Sequence, residues 1–296
     1  MNNHLVSSLL CSFSQIMLQK SVITGLFFVV GIGLSSPIML LGAITAVLSS
    51  LVIAYRCRFD AELISSGLYG YNAALIGIAV FFFLPPSLLS FTLAIFGGAL
   101  SSTITHFLFA KLKNSPEFPI FTVPFIISLW LLLLLDKQAA DALVSDDIIT
   151  PTTLMHSNDF YVIMRGVTQV MFQDYWLSGV IFTLGVFLHS NKAAFWTVLA
   201  STLTLIITRI FNFSEELIIM GIYGFNACLT AIALAEYYSK GDYHKFFPIF
   251  LGIVISIAFV KSFEYFDIPA LTAPFVLASW SVMNLVKIKS NGLREH

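Results

Sequence analysis

Long uncharged stretches, cut by Pro, Gly, Ser pairs and a few charges, run through most of this chain. They extend over Ser21–Tyr55, Leu63–Ala110, Phe118–Leu135, Leu217–Ala235 and Ile268–Val286. A helix crosses the hydrocarbon core of a bilayer with roughly 17–25 residues, and each stretch is near or above that length. Dividing the stretches at their breaks predicts ten spans. Five lie near 21–35, 37–54, 67–84, 87–109 and 118–135, and five near 175–190, 193–210, 221–238, 246–263 and 268–286. Polar and apolar residues do not alternate as they would along barrel strands, so the spans are helices. The predicted class is an all-α polytopic membrane protein.

The two sets of spans repeat one another. Gln15-Ile-Met-Leu-Gln19 matches Gln169-Val-Met-Phe-Gln173, and Gly67-Leu-Tyr-Gly-Tyr-Asn-Ala-Ala-Leu75 matches Gly221-Ile-Tyr-Gly-Phe-Asn-Ala-Cys-Leu229, both 154 residues apart. Pro119-Ile-Phe-Thr-Val-Pro-Phe125 matches Pro269-Ala-Leu-Thr-Ala-Pro-Phe275 at 150 residues, as Trp130 does Trp280. Three matched segments in one order mark an internal duplication, not a solenoid. The expected organisation is a five-span repeat over residues 1–135, a polar connector over 136–160, a second five-span repeat over 161–290 and a tail over 291–296. Five is odd, so the second copy enters the membrane upside down. Equivalent segments then face one another across a pseudo-two-fold axis around a central pore.

The positive charges agree with that topology. With both termini cytoplasmic, inner loops carry ten Lys or Arg and outer segments carry four, Lys137, Arg165, Arg209 and Lys261. This bias orients the chain and puts the acidic connector outside.

Composition narrows the function. Of 296 residues, 58% are hydrophobic and 10% charged, with a mean hydropathy of +0.90; a soluble domain carries about 25% charge. A net charge of −1 leaves no basic surface for nucleic acid. Cys11, Cys57 and Cys228 lack metal-ligand spacing and read as small buried residues. The six histidines are scattered, and no HExxH, P-loop, GxSxG or CxxC occurs, so neither an enzyme nor a cofactor is implied. No span carries a central charge of the kind that couples transport to ions. Met1–Ser8 lacks a basic signal-peptide start, and Leu10 precedes Cys11 where a lipoprotein signal has a small residue. A short amphipathic helix ahead of the first span is expected instead of a cleaved signal.

Three repeated segments carry the candidate chemistry. Gly67–Asn72 and Gly221–Asn226 would break a helix inside an apolar run, leaving two half-helices and free backbone carbonyls. Such backbone is tolerated at membrane depth only against protein or a watery cavity. Asp60 and Glu62, and Ser214, Glu215 and Glu216, lie just upstream, where caps and acids suit a helix start. Thr122 and Thr272 lie between prolines that remove N–H donors, which makes each a polar station unless its hydroxyl returns to its own helix. Gln15 and Gln169 are uncharged amides at the edge of apolar stretches, either pore-facing or bonded between helices.

These paired segments resemble the urea transporter family. Its duplicated Leu-Pro-x-x-Thr-x-Pro-Phe signature is similar to Phe118–Phe125 and Ile268–Phe275, with Phe118 and Ile268 in place of Leu. Its Gly-x-x-Gly-[Tyr/Phe]-Asn segments resemble Gly67–Asn72 and Gly221–Asn226, and its pre-span segment resembles Arg165–Gln173, with a weaker copy at Cys11–Gln19. The resemblance covers nearly the whole chain, and the short loops look like those of bacterial members. It implies a homotrimer in the cell inner membrane, in contact with lipid, with urea as substrate and one pore per subunit. Gln15 and Gln169 would lie toward the pore mouths and Thr122 and Thr272 near its middle. Leu18, Tyr71 and Leu75, with Phe172, Phe225 and Leu229, would line the slot; Leu18 stands where the family commonly has Phe. A flat apolar slot edged with oxygen atoms accepts a planar neutral molecule rich in N–H donors, while an ion would lose its hydration there. Passive permeation is the expected mechanism. The alternatives are a channel for ammonia or another small neutral solute, an ion-coupled transporter, and an intramembrane enzyme.

Overall fold

The computed structural model describes residues 2–112, 119–135, 158–238 and 246–292. Phe118, most of the connector and the last four residues lie outside the described residues. Among those described, every regular element is helical, and two sets of seven α-helices follow one another in the same order. The first set is α1 (Asn2–Ser14), α2 (Val22–Ser35), α3 (Pro37–Arg56), α4 (Ala61–Ser65), α5 (Tyr71–Phe83), α6 (Leu88–Leu112) and α7 (Val123–Leu135). The second is α8 (Asp159–Thr168), α9 (Trp176–His189), α10 (Asn191–Ile210), α11 (Glu215–Ile219), α12 (Gly224–Tyr237), α13 (Phe246–Tyr265) and α14 (Ala273–Gly292). Gln15–Met17 and Gln169–Met171 form 3₁₀ turns at the ends of α1 and α8. There the chain bends by 77° into α2 and by 73° into α9.

Caps explain where many of these helices begin. The serines that cut the apolar runs serve as N-caps. Ser36 Oγ accepts from Met39 N with Pro37 in the first turn, and Ser190 Oγ accepts from Ala193 N. Asp60 Oδ1 accepts from Glu62 N and Leu63 N at 2.8 and 3.1 Å, as its position predicts. Ser214, at the equivalent place, makes no side-chain cap; Glu215 instead accepts from Arg209, which also pairs with Asp159 at 2.6 Å.

Helices occupy all ten predicted spans, but several start later than expected. The run at 67 becomes helical at Tyr71, the run at 118 at Val123 and the run at 268 at Ala273. By length and composition α3, α6, α10 and α13 are long enough to cross a membrane alone, and each bent pair adds one crossing if counted as a unit. By contrast α5 and α7 have 13 residues each, about 20 Å of helix against about 30 Å of hydrocarbon. The delay has a backbone cause. Gly67 and Gly221 have φ of +82° and +79°, and Phe121 and Leu271 have +44° and +46°, so helix cannot pass through them. Cys11 and Cys228 are buried as expected, but Cys57 is exposed at the end of α3.

Equivalent residues recur in equivalent conformations. Leu18 and Phe172 (φ +59° and +55°) and Arg58 and Asn212 (φ +54° and +52°) are left-handed pairs. The halves meet through reciprocal contacts: Thr24 Oγ1 donates to Gly185 O and Ser178 Oγ to Gly31 O, both at 2.7 Å. Trp130 Nε1 donates to Pro269 O at 3.1 Å and Trp280 Nε1 to Pro119 O at 3.0 Å. A contact and its mirror made by equivalent residues are what a two-fold relation produces. Phe28 and Phe182, an equivalent pair, pack edge to face between α2 and α9, centroids 5.1 Å apart. Large apolar side chains such as Leu48, Leu134 and Phe247 remain exposed, as on the surface of a polytopic membrane protein.

The two glycine breaks give the first test. A Cβ on Gly67 would lie 2.4 Å from the Cys11 carbonyl carbon, and one on Gly221 2.6 Å from that of Arg165. Each break is therefore wedged against α1 or α8. Gly67→Ala and Gly221→Ala should each lose about 1–3 kcal/mol, through left-handed strain plus the backbone clash. Thermal unfolding of the purified protein, followed by intrinsic fluorescence, checks this.

Candidate functional site

Thr122 and Thr272 each sit immediately before a helix, ahead of α7 and α14. With no helical turn behind them, their hydroxyls lack the usual own-helix carbonyl. They bond to each other instead: the Thr272 hydroxyl donates to Thr122 Oγ1 at 2.7 Å, and both residues are buried. This contact joins the two halves through equivalent residues.

The N-termini of α7 and α14 are buried and leave N–H groups in need of acceptors. Asn72 and Asn226 supply them. Phe125 N donates to Asn72 Oδ1 at 3.3 Å and Phe275 N to Asn226 Oδ1 at 3.1 Å. The Asn of each Gly-rich segment thus caps the Thr-Pro helix of its own half. The other end of the amide differs between halves. Asn226 Nδ2 donates to Leu271 O at 3.1 Å. In the first half the Tyr71 hydroxyl takes the equivalent Phe121 carbonyl, and Asn72 Nδ2 is buried without a partner. Phe225, which replaces Tyr71 in the second half, has no hydroxyl to compete. Leu75 and Leu229 lie one turn further along α5 and α12, both buried.

Phe172 is half-buried at the end of its 3₁₀ turn, against Phe82, Phe83 and Phe125 at 5.3, 6.0 and 6.3 Å between centroids. Leu18 holds the same backbone conformation in the other half without a ring. The two turns touch each other. Gln15 and Gln169, both buried, do not bond to the threonines. Gln15 Nε2 donates to Ser66 O and Gln169 Nε2 to Asp174 Oδ1, each at 3.1 Å. The difference follows from sequence: Asp174 is an acceptor, and its equivalent Lys20 is a donor.

Two cavities flank this arrangement, and the internal repeat exchanges them. One, of about 810 Å³, is lined by Phe172, Gln173, Asp174 and Ser36 among others. The other, of about 380 Å³, is lined by the equivalents Leu18, Gln19, Lys20 and Ser190. Their charges differ. Arg165 and Asp174 face the larger, while Lys20, His189, Lys192 and Glu236 surround the smaller.

The profile described as urea transporter matches residues 6–287. The chain belongs to the urea transporter family. It is 25% identical over 302 residues to urea transporter 1 of Ovis aries and to that of Capra hircus, covering 93% of this chain and 75% of each relative. It is 26% identical over 245 residues to urea transporter 1 of Mus musculus, covering 76% of this chain and 62% of that protein. As a member of the urea transporter family it is a transporter and not an enzyme, with the all-helical build of a multi-pass membrane protein.

Two contributors escaped the sequence reading of this family member. Asn72 and Asn226 were visible as parts of a helix break, but not as caps for a helix some fifty positions away. Arg165 counts in sequence as an outer positive charge, yet it is buried, with Nη1 donating to Ile219 O at 3.2 Å. Its neighbour Asp174 lies nine residues on, too far along the chain to look like a partner. The caps can be tested directly. Asn226→Leu leaves Phe275 N and the Leu271 carbonyl without their partner, and should destabilise the protein by about 1–3 kcal/mol. Thermal unfolding compared with wild type measures that loss.

Proposed function

We propose that this chain conducts urea passively, down its gradient, through a narrow path between its two inverted halves. The observation that carries the reading is the Thr122–Thr272 bond, made by equivalent residues at the centre, with exchangeable cavities on either side. In this reading the cavities are the mouths, and Gln15 and Gln169 stand near them. Leu18, Tyr71, Leu75, Phe172, Phe225 and Leu229 form the walls, and the threonines form the polar middle. Ten spans in two five-span repeats carry the path, with both termini in the cytoplasm. Three such subunits assemble in the cell membrane, each with its own path.

The chemistry suits the solute. Urea is planar and neutral, with four N–H donors and one carbonyl acceptor. Flat apolar walls accept its faces, and hydroxyl oxygens replace the water at its edges. Its entry therefore costs little, while an ion would be stripped of hydration with no fixed countercharge at the threonines. The opposing reading is ion-coupled transport, which the buried Arg165 and its neighbour Asp174 favour. Sealed vesicles separate the two, because a passive path equilibrates labelled urea, and a coupled one accumulates it under an Na⁺ or H⁺ gradient.

In this reading each threonine replaced by Val takes one hydroxyl from the constriction and leaves a solute N–H unmatched there. That costs about 1–3 kcal/mol, so urea flux should fall roughly tenfold to a hundredfold if the whole cost enters the barrier. Stopped-flow urea flux in proteoliposomes is the measurement, for Thr122→Val, Thr272→Val and the double variant. Thr103→Val is the control, since that exposed hydroxyl returns to Ala99 O within α6. Near-wild-type flux in all three variants would remove the threonines from the mechanism.

A further inference from the structure

Each glycine break carries a buried tyrosine whose hydroxyl is held from outside the break. Tyr69 and Tyr223 are both 1% exposed. The Tyr223 hydroxyl donates to Glu264 Oε2 at 2.8 Å, and Glu264 Oε1 accepts from Lys261 at 2.7 Å. The Tyr69 hydroxyl instead meets His106 Nδ1 at 3.2 Å. The internal repeat explains the exchange. Ser101 Oγ donates to Gly98 O and Ser256 Oγ to Ile253 O, each three residues back, and Gly97 and Gly252 face the equivalent residues Ile76 and Thr230. In that register His106 stands in the place of Lys261, and Phe109 in the place of Glu264.

Both basic side chains lie over equivalent rings. His106 stacks on Phe59, centroids 3.9 Å apart, and Lys261 Nζ lies 5.2 Å from the Phe213 centroid. The second half can hold a cation over its ring because Glu264 remains to accept from the tyrosine. In the first half Phe109 packs its ring on Tyr69 instead, and the acceptor is the imidazole itself. An imidazole with its proton on Nε2 accepts at Nδ1, whereas an imidazolium donates from both nitrogens. Protonated His106 could lie over Phe59 as Lys261 lies over Phe213, but Tyr69 would lose its acceptor.

We propose that His106 is a positioning residue for the first glycine break, and that its protonation releases Tyr69 and slows urea passage. The proposal rests on the urea reading and adds control by pH. Tyr69 precedes Tyr71 and Asn72, which hold the Phe121 carbonyl and Phe125 N on either side of Thr122. A shift of Tyr69 therefore reaches the segment that carries the threonine. His106 is exposed near the end of α6, where protons reach it, and in the proposed orientation that end is cytoplasmic. The helices packed on α6 are α3, α5 and α7. With the turn after α3 and with α4 they bring the run Tyr55–Asp60 (a Tyr, two Arg, a Cys and an Asp), Glu62, Tyr69 and Tyr71, and α6 itself carries Lys111. None of these is a second histidine, the side chain that ordinarily changes charge between about pH 5 and 8.

The test is urea flux in proteoliposomes with the same pH on both sides. Wild-type flux should fall about twofold to tenfold from about pH 7.5 to about pH 5. His106→Gln keeps an acceptor that does not titrate, and should remove the fall. His106→Lys, which copies the other half without its carboxylate, should hold flux low at both pH values. A merely structural role would change the level of flux and leave its pH dependence intact. Tyr69→Phe has no hydroxyl to release, so its flux should not fall either, and it serves if the His106 variants do not fold. A flat wild-type profile overturns the proposal. So does an equal fall in His106→Gln, which would lie with another group such as His189. Thermal unfolding reads the same bond without flux: Tyr69→Phe should unfold about 2–4 °C below wild type at about pH 7.5 and close to it at about pH 5. An equal deficit at both pH values overturns the proposal. Absence of urea flux at every pH, with that unfolding pattern present, overturns the urea reading and leaves the His106–Tyr69 brace standing.

Discussion

A helix that stops inside a bilayer leaves N–H or C=O groups that neither lipid nor water will satisfy. This chain begins helices in its interior at α5, α7, α12 and α14, and the architecture follows from how those ends are met. Asn72 and Asn226 close the starts of α7 and α14. The wedging of Gly67 and Gly221 against α1 and α8 seats the breaks. Just ahead of α7 and α14 the Thr122–Thr272 pair joins the two halves. The polar groups at the centre are thus first a structural necessity, and the proposed urea path is a second use of them.

The duplication frames this solution and also shows where the halves have diverged. Backbone conformation is repeated closely, down to left-handed Leu18 and Phe172. Side chains at the same positions are not: Tyr71 against Phe225, Lys20 against Asp174 and Cys11 against Arg165. Each change reroutes a hydrogen bond. Tyr71 displaces the neighbouring amide from its carbonyl, and Asp174 draws Gln169 away from the backbone contact that Gln15 keeps. The two ends of the molecule are consequently alike in backbone and unlike in charge.

Much of this was legible in the sequence. The helical class came from run lengths, and the matched motifs marked segments that take equivalent conformations, such as Leu18 and Phe172; both signals depend only on composition and spacing. The family followed from the same motifs. Helix starts were less legible, because a long apolar run looks continuous until a residue such as Phe121 takes a left-handed conformation. For Thr122 and Thr272 the sequence posed the right alternatives, own-helix bond or polar station, and the structure gave a third, a bond to each other. Arg165 and the Asn caps were illegible for one reason: their partners are distant in sequence, and no local pattern announces them.

The contacts between the halves fall into two kinds. Away from the axis, as with Trp130 to Pro269 and Trp280 to Pro119, each contact exists twice, and damage to one copy leaves the other intact. On the axis, Phe28 meets Phe182 and Thr122 meets Thr272, so a residue's partner is its own duplicate. A substitution in an off-axis contact thus leaves its mirror contact whole, whereas one at an axial residue also removes the partner of its twin. Substitutions at the axis are therefore coupled and non-additive in a double-mutant cycle, while well-separated off-axis ones approach simple addition.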